Sequence, residues 1–124
     1  MTTIVYPWVT VTWPKEWDVK KKPMVIFISA PLTNGDQCFN IRRACFVGDK
    51  ILEMGHIPFI PHLFHFWDLI SPKAYETYME IDFAMIPRCD AVLRLDGHSP
   101  GADREVELAH SLGIPVYYSL DELP

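Results

Sequence analysis

The sequence has few cysteines, no long apolar run and no excess of basic residues, and each shortage excludes a class of protein. Its three cysteines form no Cys-x-x-Cys pair, which argues against a disulfide framework or a zinc knuckle. The longest uncharged run, Met1 to Pro14, is too short to cross a bilayer and lacks the basic start of a signal peptide. The net charge of −5 argues against nonspecific nucleic-acid binding. We therefore expect a cytoplasmic protein with no membrane partner and no nucleic-acid partner.

The first 23 residues form a segment distinct from the rest of the chain. Lys20-Lys21-Lys22 separates it from the body, and Val9 to Trp13 alternates as a short strand does. The segment holds Trp8, Trp13 and Trp17, and such aromatic density is typical of a surface that packs on the body or on a partner subunit. We interpret residues 1–23 as an N-terminal arm that packs on residues 24–124. The alternative is that the arm forms a contact in a homo-oligomer.

From Met24 onward, short apolar runs alternate with helical patterns. The predicted strands are Met24–Ile28, Ile57–Ile60, Asp90–Leu95 and Ile114–Tyr118, and the predicted helices are Phe39–Met54, Ser71 to about Ile86 and Ser99 to about Leu112. A loop rich in aromatics and histidines, His62 to Ile70, precedes the second helix, for which Ser71-Pro72 is the expected start. This alternation predicts an α/β domain with a mainly parallel sheet of four to five strands and helices on both faces.

The segment from Asp96 to Glu105 is the best candidate for a binding site. In parallel sheets, ligands bind beyond the carboxyl ends of the strands, and this segment follows the third core strand. Ser99 caps a helix whose N-terminus favours an anion, while Gly97 and Gly101 allow close backbone approach. We expect the helix N-terminus to help keep Glu105 ionised, as nucleophilic attack at a sugar carbon requires. The alternative is a plain cap followed by a surface glutamate.

A second carboxylate, Asp82, lies in the helix before the third strand. Its neighbours Ile81, Phe83 and Ile86 favour partial burial, which would raise its pKa. Two carboxylates in different environments can divide into a nucleophile and a general acid. The alternative is a helix-surface charge.

Taken in order, these segments resemble the nucleoside 2-deoxyribosyltransferase-like superfamily over residues 24–118. The segments that carry the resemblance are Ile26–Leu32, Gly55–Pro61, Asp82 with Ile86 and Cys89-Asp90, Ser99–Ala109 and Gly113–Val116. Ser99, six residues before the aligned glutamate, is similar to the nucleotide N-hydrolase branch of the superfamily, whose serine contacts a 5′-phosphate. The resemblance implies a flavodoxin/Rossmann-like three-layer domain that needs no cofactor and no metal.

The resemblance also implies roles for individual residues. Glu105 aligns with the family's nucleophile, and Asp82 would serve as the acid for the departing base. The expected phosphate contacts are Ser29, Ser99 and the amides near Gly101, and the expected base contact is Phe64 or Trp67. His98, next to Ser99, is either a further phosphate contact or an exposed loop histidine. His62-x-x-His65-x-x-Asp68 has spacing that a metal could use, but its interleaved aromatics favour a pocket wall.

The expected activity is hydrolysis of the N-glycosidic bond of a nucleoside 5′-monophosphate, with a small nucleotide as the partner. A deoxyribosyltransferase keeps the same nucleophile and is the first alternative. Departures from the family pattern at Phe27, Ala30 and Glu107 support the second alternative, a nucleotide-binding module without turnover.

Overall fold

The structure is a computed structural model that describes residues 2–14 and 23–124. Its strands are β1 (Thr2–Val5), β2 (Thr10–Trp13), β3 (Val25–Ser29), β4 (Ile57–Phe59), β5 (Ala91–Arg94) and β6 (Val116–Tyr117). Its α-helices are α1 (Gln37–Glu53), α2 (Phe64–Ile70), α3 (Tyr75–Met85) and α4 (Pro100–Ser111). Short 3-10 turns cover Pro61–Leu63, Ile86–Arg88 and Leu120–Glu122.

Four of these strands form one parallel sheet in the order β4-β3-β5-β6. The sheet and its flanking helices confirm the predicted α/β, flavodoxin/Rossmann-like three-layer architecture. β4 is an edge strand, as its prolines predict, since proline cannot donate to a central ladder. The last strand is shorter than predicted, because only Val116 and Tyr117 pair with β5.

Alternation along the central strand β3 divides the core into two layers. Ile26 and Ile28 pack on one face with Ala44 and Ile51 of α1. Phe27 packs on the other face against residues that include Ile86 and Ala109. All of β3 from Ile26 to Ser29 is fully buried, which explains why its sequence is a continuous apolar run ending in one small polar residue.

The segment between β4 and α3 differs from the prediction. Residues 61–70 are helical instead of a loop, because Phe64 packs against the rings of Phe59 and Tyr78 and so gains a buried face. Ser71 follows the last residue of α2, and its amide donates a hydrogen bond to Trp67 O. The prediction that Ser71-Pro72 starts the next helix is therefore wrong. α3 begins four residues later, at Tyr75.

The N-terminal arm is an antiparallel hairpin of β1 and β2, and this confirms the strand predicted around Val11. The prediction that its aromatics pack on the body is wrong for Trp8, which is 79% exposed, whereas Trp13 is half-buried. Trp17 and Lys20-Lys21-Lys22 lie outside the described residues. In the ranges 2–14 and 23–124, no helix combines the length and apolarity needed to span a bilayer.

Candidate active site

The sheet order places a crevice at the carboxyl ends of β3 and β5. The chain leaves β3 towards β4 on one side and returns to β5 on the other, and such switch points are where ligands bind in open α/β sheets. A cavity of about 570 Å³ opens there, within the usual size range of small-molecule sites. Its polar lining residues are Thr33, Asn34, Gln37, His62, His65, Asp68, Lys73, Tyr75, Tyr78, Asp82, Ser99 and Glu105.

Glu105 is buried in the wall of this cavity and is held by a serine from the central strand. Its side chain, only 6% exposed, belongs to the second turn of α4. The hydroxyl of Ser29 lies 2.8 Å from Glu105 Oε1 and 3.3 Å from Ala102 O, and its proton is directed to the closer acceptor. Ser29 is completely buried, so it supports the glutamate instead of reaching a phosphate as predicted.

Asp82 of α3 completes a pair of buried carboxyl groups. It lies against Glu105, is 6% exposed, and its Oδ1 has no hydrogen-bond partner among the described residues. Burial raises the pKa of Asp82, in agreement with the prediction from its apolar neighbours.

Burial and the adjacent Asp82 raise the pKa of Glu105 to about 9. Burial and Asp82 therefore act against the expectation that the N-terminus of α4 keeps Glu105 ionised. Two contacts act in the opposite direction, the hydrogen bond from Ser29 and the charge of Arg94. The pair thus retains one proton at neutral pH, and in the free protein it lies on Glu105, because burial and Asp82 outweigh the effects of Ser29 and Arg94.

An ion pair joins the two helices that carry the carboxyl groups. Arg104 of α4 makes two contacts of 2.8 and 3.2 Å with the carboxylate of Glu76 on α3. The same guanidinium lies 5.2 Å from the ring centre of Phe83, one residue beyond Asp82. These contacts hold α3 and α4 in register on the cavity side of the sheet.

The N-terminus of α4 reaches the cavity through Ser99 and Gly101. Ser99 Oγ accepts a hydrogen bond of 3.1 Å from Ala102 N, which confirms the predicted cap. The hydroxyl proton of Ser99 stays available to a ligand, and the Gly101 amide has no intrahelical acceptor. A Cβ on Gly101 would lie 2.6 Å from the Tyr75 hydroxyl, so glycine is required here for close packing of α3.

A family model described as a domain of unknown function (DUF4406) matches residues 24–118, more than three quarters of the chain. The chain belongs to this family. The match contains every residue of β3, α3, β5 and α4, and it leaves the N-terminal hairpin outside. No curated protein matches the sequence.

Not all of the predicted binding residues reach the cavity of this DUF4406 domain. Phe64 lines it, together with Ser99 and Gly101. Trp67 lies behind Phe64, packed edge-on against that ring and Tyr78, with Lys73 Nζ 4.2 Å from its ring centre. His98 is exposed, and its carbonyl accepts a hydrogen bond of 2.7 Å from the side chain of Asn34. Neither Trp67 nor His98 is part of the cavity wall.

His62, His65 and Asp68 line the cavity of the DUF4406 domain, as the predicted pocket wall requires, and Tyr75 and Tyr78, which were assigned no role from the sequence, line it as well. Tyr75 and Tyr78 precede Asp82 by seven and four residues, and this helical spacing is the signal that could have found them. Asp68 Oδ1 accepts hydrogen bonds from the Tyr78 hydroxyl at 2.8 Å and from Lys73 N at 3.0 Å. Partial burial and Asp68 together raise the pKa of Tyr78 to about 12.

His62 is the most deeply buried of the polar residues that line the cavity. It is 3% exposed, and its Nε2 lies 3.0 Å from Pro31 O in the loop after β3. Burial lowers the pKa of His62, so the ring is neutral. In the part of the chain that the structure describes, no group of three or more His, Cys, Asp or Glu side chains is arranged to hold a metal ion.

Proposed function

We propose that this protein hydrolyses the N-glycosidic bond of a nucleoside 5′-monophosphate and releases a free base and a sugar phosphate. The observation that carries the proposal is the buried Glu105–Asp82 pair in the wall of the cavity, with the Ser29 hydroxyl 2.8 Å from Glu105 Oε1. Burial of two carboxyl groups that share a proton lowers the stability of the folded state. Strongly shifted pKa values in a cavity are characteristic of catalytic sites.

In the first step, Glu105 is the nucleophile and Asp82 is the general acid. A carboxylate oxygen of Glu105 forms a bond to the anomeric carbon of the sugar while the carbon–nitrogen bond to the base breaks. The electron pair of that bond leaves with the base, which takes the proton of Asp82. The products of this step are a glycosyl ester on Glu105, a neutral base and ionised Asp82.

In the second step, Asp82 removes a proton from water, whose oxygen attacks the anomeric carbon and displaces Glu105. Two inversions give net retention at that carbon. Contact between the carboxyls supports this route, because inverting enzymes hold a water between carboxyls roughly 6.5–9.5 Å apart. The route needs the proton on Asp82 and the charge on Glu105. Burial and Asp82 favour the opposite arrangement in the free protein, so the proton must pass to Asp82 when substrate binds, the direction in which Ser29 and Arg94 act.

The phosphate would lie at the N-terminus of α4. The Ser99 hydroxyl proton and the Gly101 amide are donors there, and the helix dipole adds a favourable field for an anion. The base would lie at the opposite aromatic wall, against Phe64. This assignment places the sugar between the two, beside Glu105 and Asp82.

The oligomeric state and the compartment are also proposals. Large apolar side chains of the hairpin are exposed, among them Val5 at 74% and Trp8 at 79%, and they suit a contact between two copies of the chain. The free cysteines Cys38, Cys45 and Cys89 suit a reducing cytoplasm.

The test is chromatography of pooled ribo- and deoxynucleoside 5′-monophosphates after incubation with the protein. We expect free base with the wild type without any added acceptor, and a loss of at least a thousandfold in Glu105→Gln. Asp82→Asn should also lose most activity on substrates with poor leaving groups. Glu107→Gln and Glu80→Gln are the matched controls, because both carboxylates are exposed on the same two helices.

The outcome of this assay distinguishes the proposed hydrolase from its alternatives. Base release that requires an added acceptor base would identify a transferase with the same nucleophile. Nucleotide binding without any base release would identify a binding module. Base release that survives Glu105→Gln would refute the proposed nucleophile.

A further inference from the structure

A buried acceptor atom in the cavity wall has no partner within the described residues. His62 Nε2 lies 3.0 Å from a backbone carbonyl oxygen, which can only accept, so Nε2 carries the ring proton. In the neutral ring, Nδ1 therefore holds a bare lone pair. His62 is 3% exposed, lines the cavity, and its Nδ1 makes no hydrogen bond to the described residues. A donor that a ligand brings into the cavity would satisfy this acceptor.

The position of His62 indicates which part of a ligand would supply that donor. His62 lies in the 3-10 turn that leads into α2, Phe64 is the first residue of α2, and both line the cavity. The Phe64 ring stacks on Tyr78 at 6.1 Å, and both line the same cavity. A flat base that lies on this aromatic wall would present its edge to the other lining residues of the cavity, among them His62. The sugar is held elsewhere, beside Glu105 and the Ser29 hydroxyl.

We propose that His62 Nδ1 accepts a hydrogen bond from the exocyclic amino group of the base, so that the site selects amino-substituted nucleobases such as adenine and cytosine. This inference rests on the proposed function, because it takes the ligand to be a nucleotide. It adds a specificity-determining residue that does not take part in bond cleavage. The shared chemistry is a ligand N–H or O–H donor, and a sugar hydroxyl is the other possible source.

The experiment measures dissociation constants by calorimetry in the Glu105→Gln background, where turnover does not interfere. The probes are AMP against purine riboside 5′-monophosphate, and CMP against pyrimidin-2-one riboside 5′-monophosphate, pairs that differ only in the amino group. Deoxy counterparts of AMP and CMP test the 2′-hydroxyl as the donor. We expect the amino-bearing member of each pair to bind about tenfold more tightly, since an unpaired buried acceptor penalises the analogue.

Variants at His62 separate recognition from folding. Glutamine places its amide nitrogen near the position of Nε2, so His62→Gln can keep the contact with Pro31 O while it removes the acceptor at Nδ1. We expect the preference for the amino group to fall to about onefold in this variant. His62→Asn places an oxygen near Nδ1 and should retain the preference. His110→Gln, at an exposed position on α4, is the matched control and should leave the ratio unchanged.

Three results would overturn the inference. If His62→Gln and its parent prefer the amino-bearing nucleotide equally, His62 does not recognise the amino group. The proposed hydrolysis would be unaffected by that result. A ribose-over-deoxyribose preference that is lost in His62→Gln while the amino preference stays would assign the donor to the sugar. Failure of all these nucleotides to bind would refute both this inference and the proposed function.

Discussion

Replacement of Glu105 by glutamine should stabilise the protein, although it should abolish activity. Glu105 is 6% exposed and its pKa is raised from 4.5 to about 9, so the folded state holds a proton that the unfolded state releases. Folding stability therefore decreases as the pH rises from about 4.5 to about 9, because the unfolded state binds fewer protons across that range. Glutamine can still accept from Ser29, and its amide can donate to Asp82.

The magnitude follows from the shift in the pKa of Glu105. Each unit of pH in this window costs about 1.4 kcal/mol, so the wild type loses about 3 kcal/mol between pH 4.5 and pH 7. Most of this loss should be absent in Glu105→Gln. For a chain of this size, the difference at pH 7 corresponds to roughly 10 °C in Tm.

The assay is urea denaturation of the wild type, Glu105→Gln and Glu107→Gln at half-unit steps from pH 4.5 to pH 8.5. The free energies of unfolding of the wild type and Glu105→Gln should converge at the acidic end and separate as the pH rises. Glu107→Gln should follow the wild type throughout, because Glu107 is exposed. Parallel curves for the wild type and Glu105→Gln would refute the shared-proton description of the site.

Three further predictions concern single contacts. Ser29→Ala removes the hydroxyl that favours the charge on the nucleophile, so kcat should fall at least tenfold with little change in KM, and the acidic limb of the pH–rate profile should move to higher pH. Gly97→Ala should destabilise the fold by about 2 kcal/mol in thermal unfolding, because Gly97 has φ of 113° and a Cβ there would lie 2.9 Å from Pro31 Cγ. Gly35 is the control: its φ is 87° but the space around it is open, so Gly35→Ala should destabilise the fold less. Tyr78→Phe should remove one tyrosine that ionises near pH 12 from the ultraviolet alkaline titration, and an unchanged titration would contradict the contact with its carboxylate neighbour.

The sequence predicted those parts of the fold that depend on local chemistry. Ser99-Pro100 starts α4 as expected, because a hydroxyl cap and a proline at the first helical position act within one turn. The apolar run of β3 and the prolines of β4 correctly placed a central strand and an edge strand. Ser71-Pro72 carries the same local signal but fails, because Asp68 binds the Lys73 amide and the aromatic packing extends α2 up to Ser71.

The site was predictable only where a residue's role depends on its own helix. Asp82 lies on the buried face of α3, as its apolar neighbours predict, whereas the burial of Glu105 on α4 was not predicted. Ser29 was assigned to a phosphate, because nothing in the sequence shows that its hydroxyl meets a side chain 76 residues away. His62 was visible as a ligand-capable residue, but its unpaired nitrogen depends on a contact with the loop after β3. Such contacts between distant segments are set by the tertiary fold.

The bond between Ser29 and Glu105 also has a consequence for how the chain folds. The two carboxyl-bearing helices and the strand between them occupy one continuous stretch, residues 75–111, whereas Ser29 lies on a strand that must insert between β4 and β5. Contacts within a short stretch close small loops and form early, while those across long separations form late. We therefore expect the two carboxyl groups to meet before the serine arrives, so the reactive glutamate acquires its hydroxyl partner only in the last stage of folding. A partly folded chain would then hold the acids without the group that directs their charge, and would be inactive until the central strand is in place.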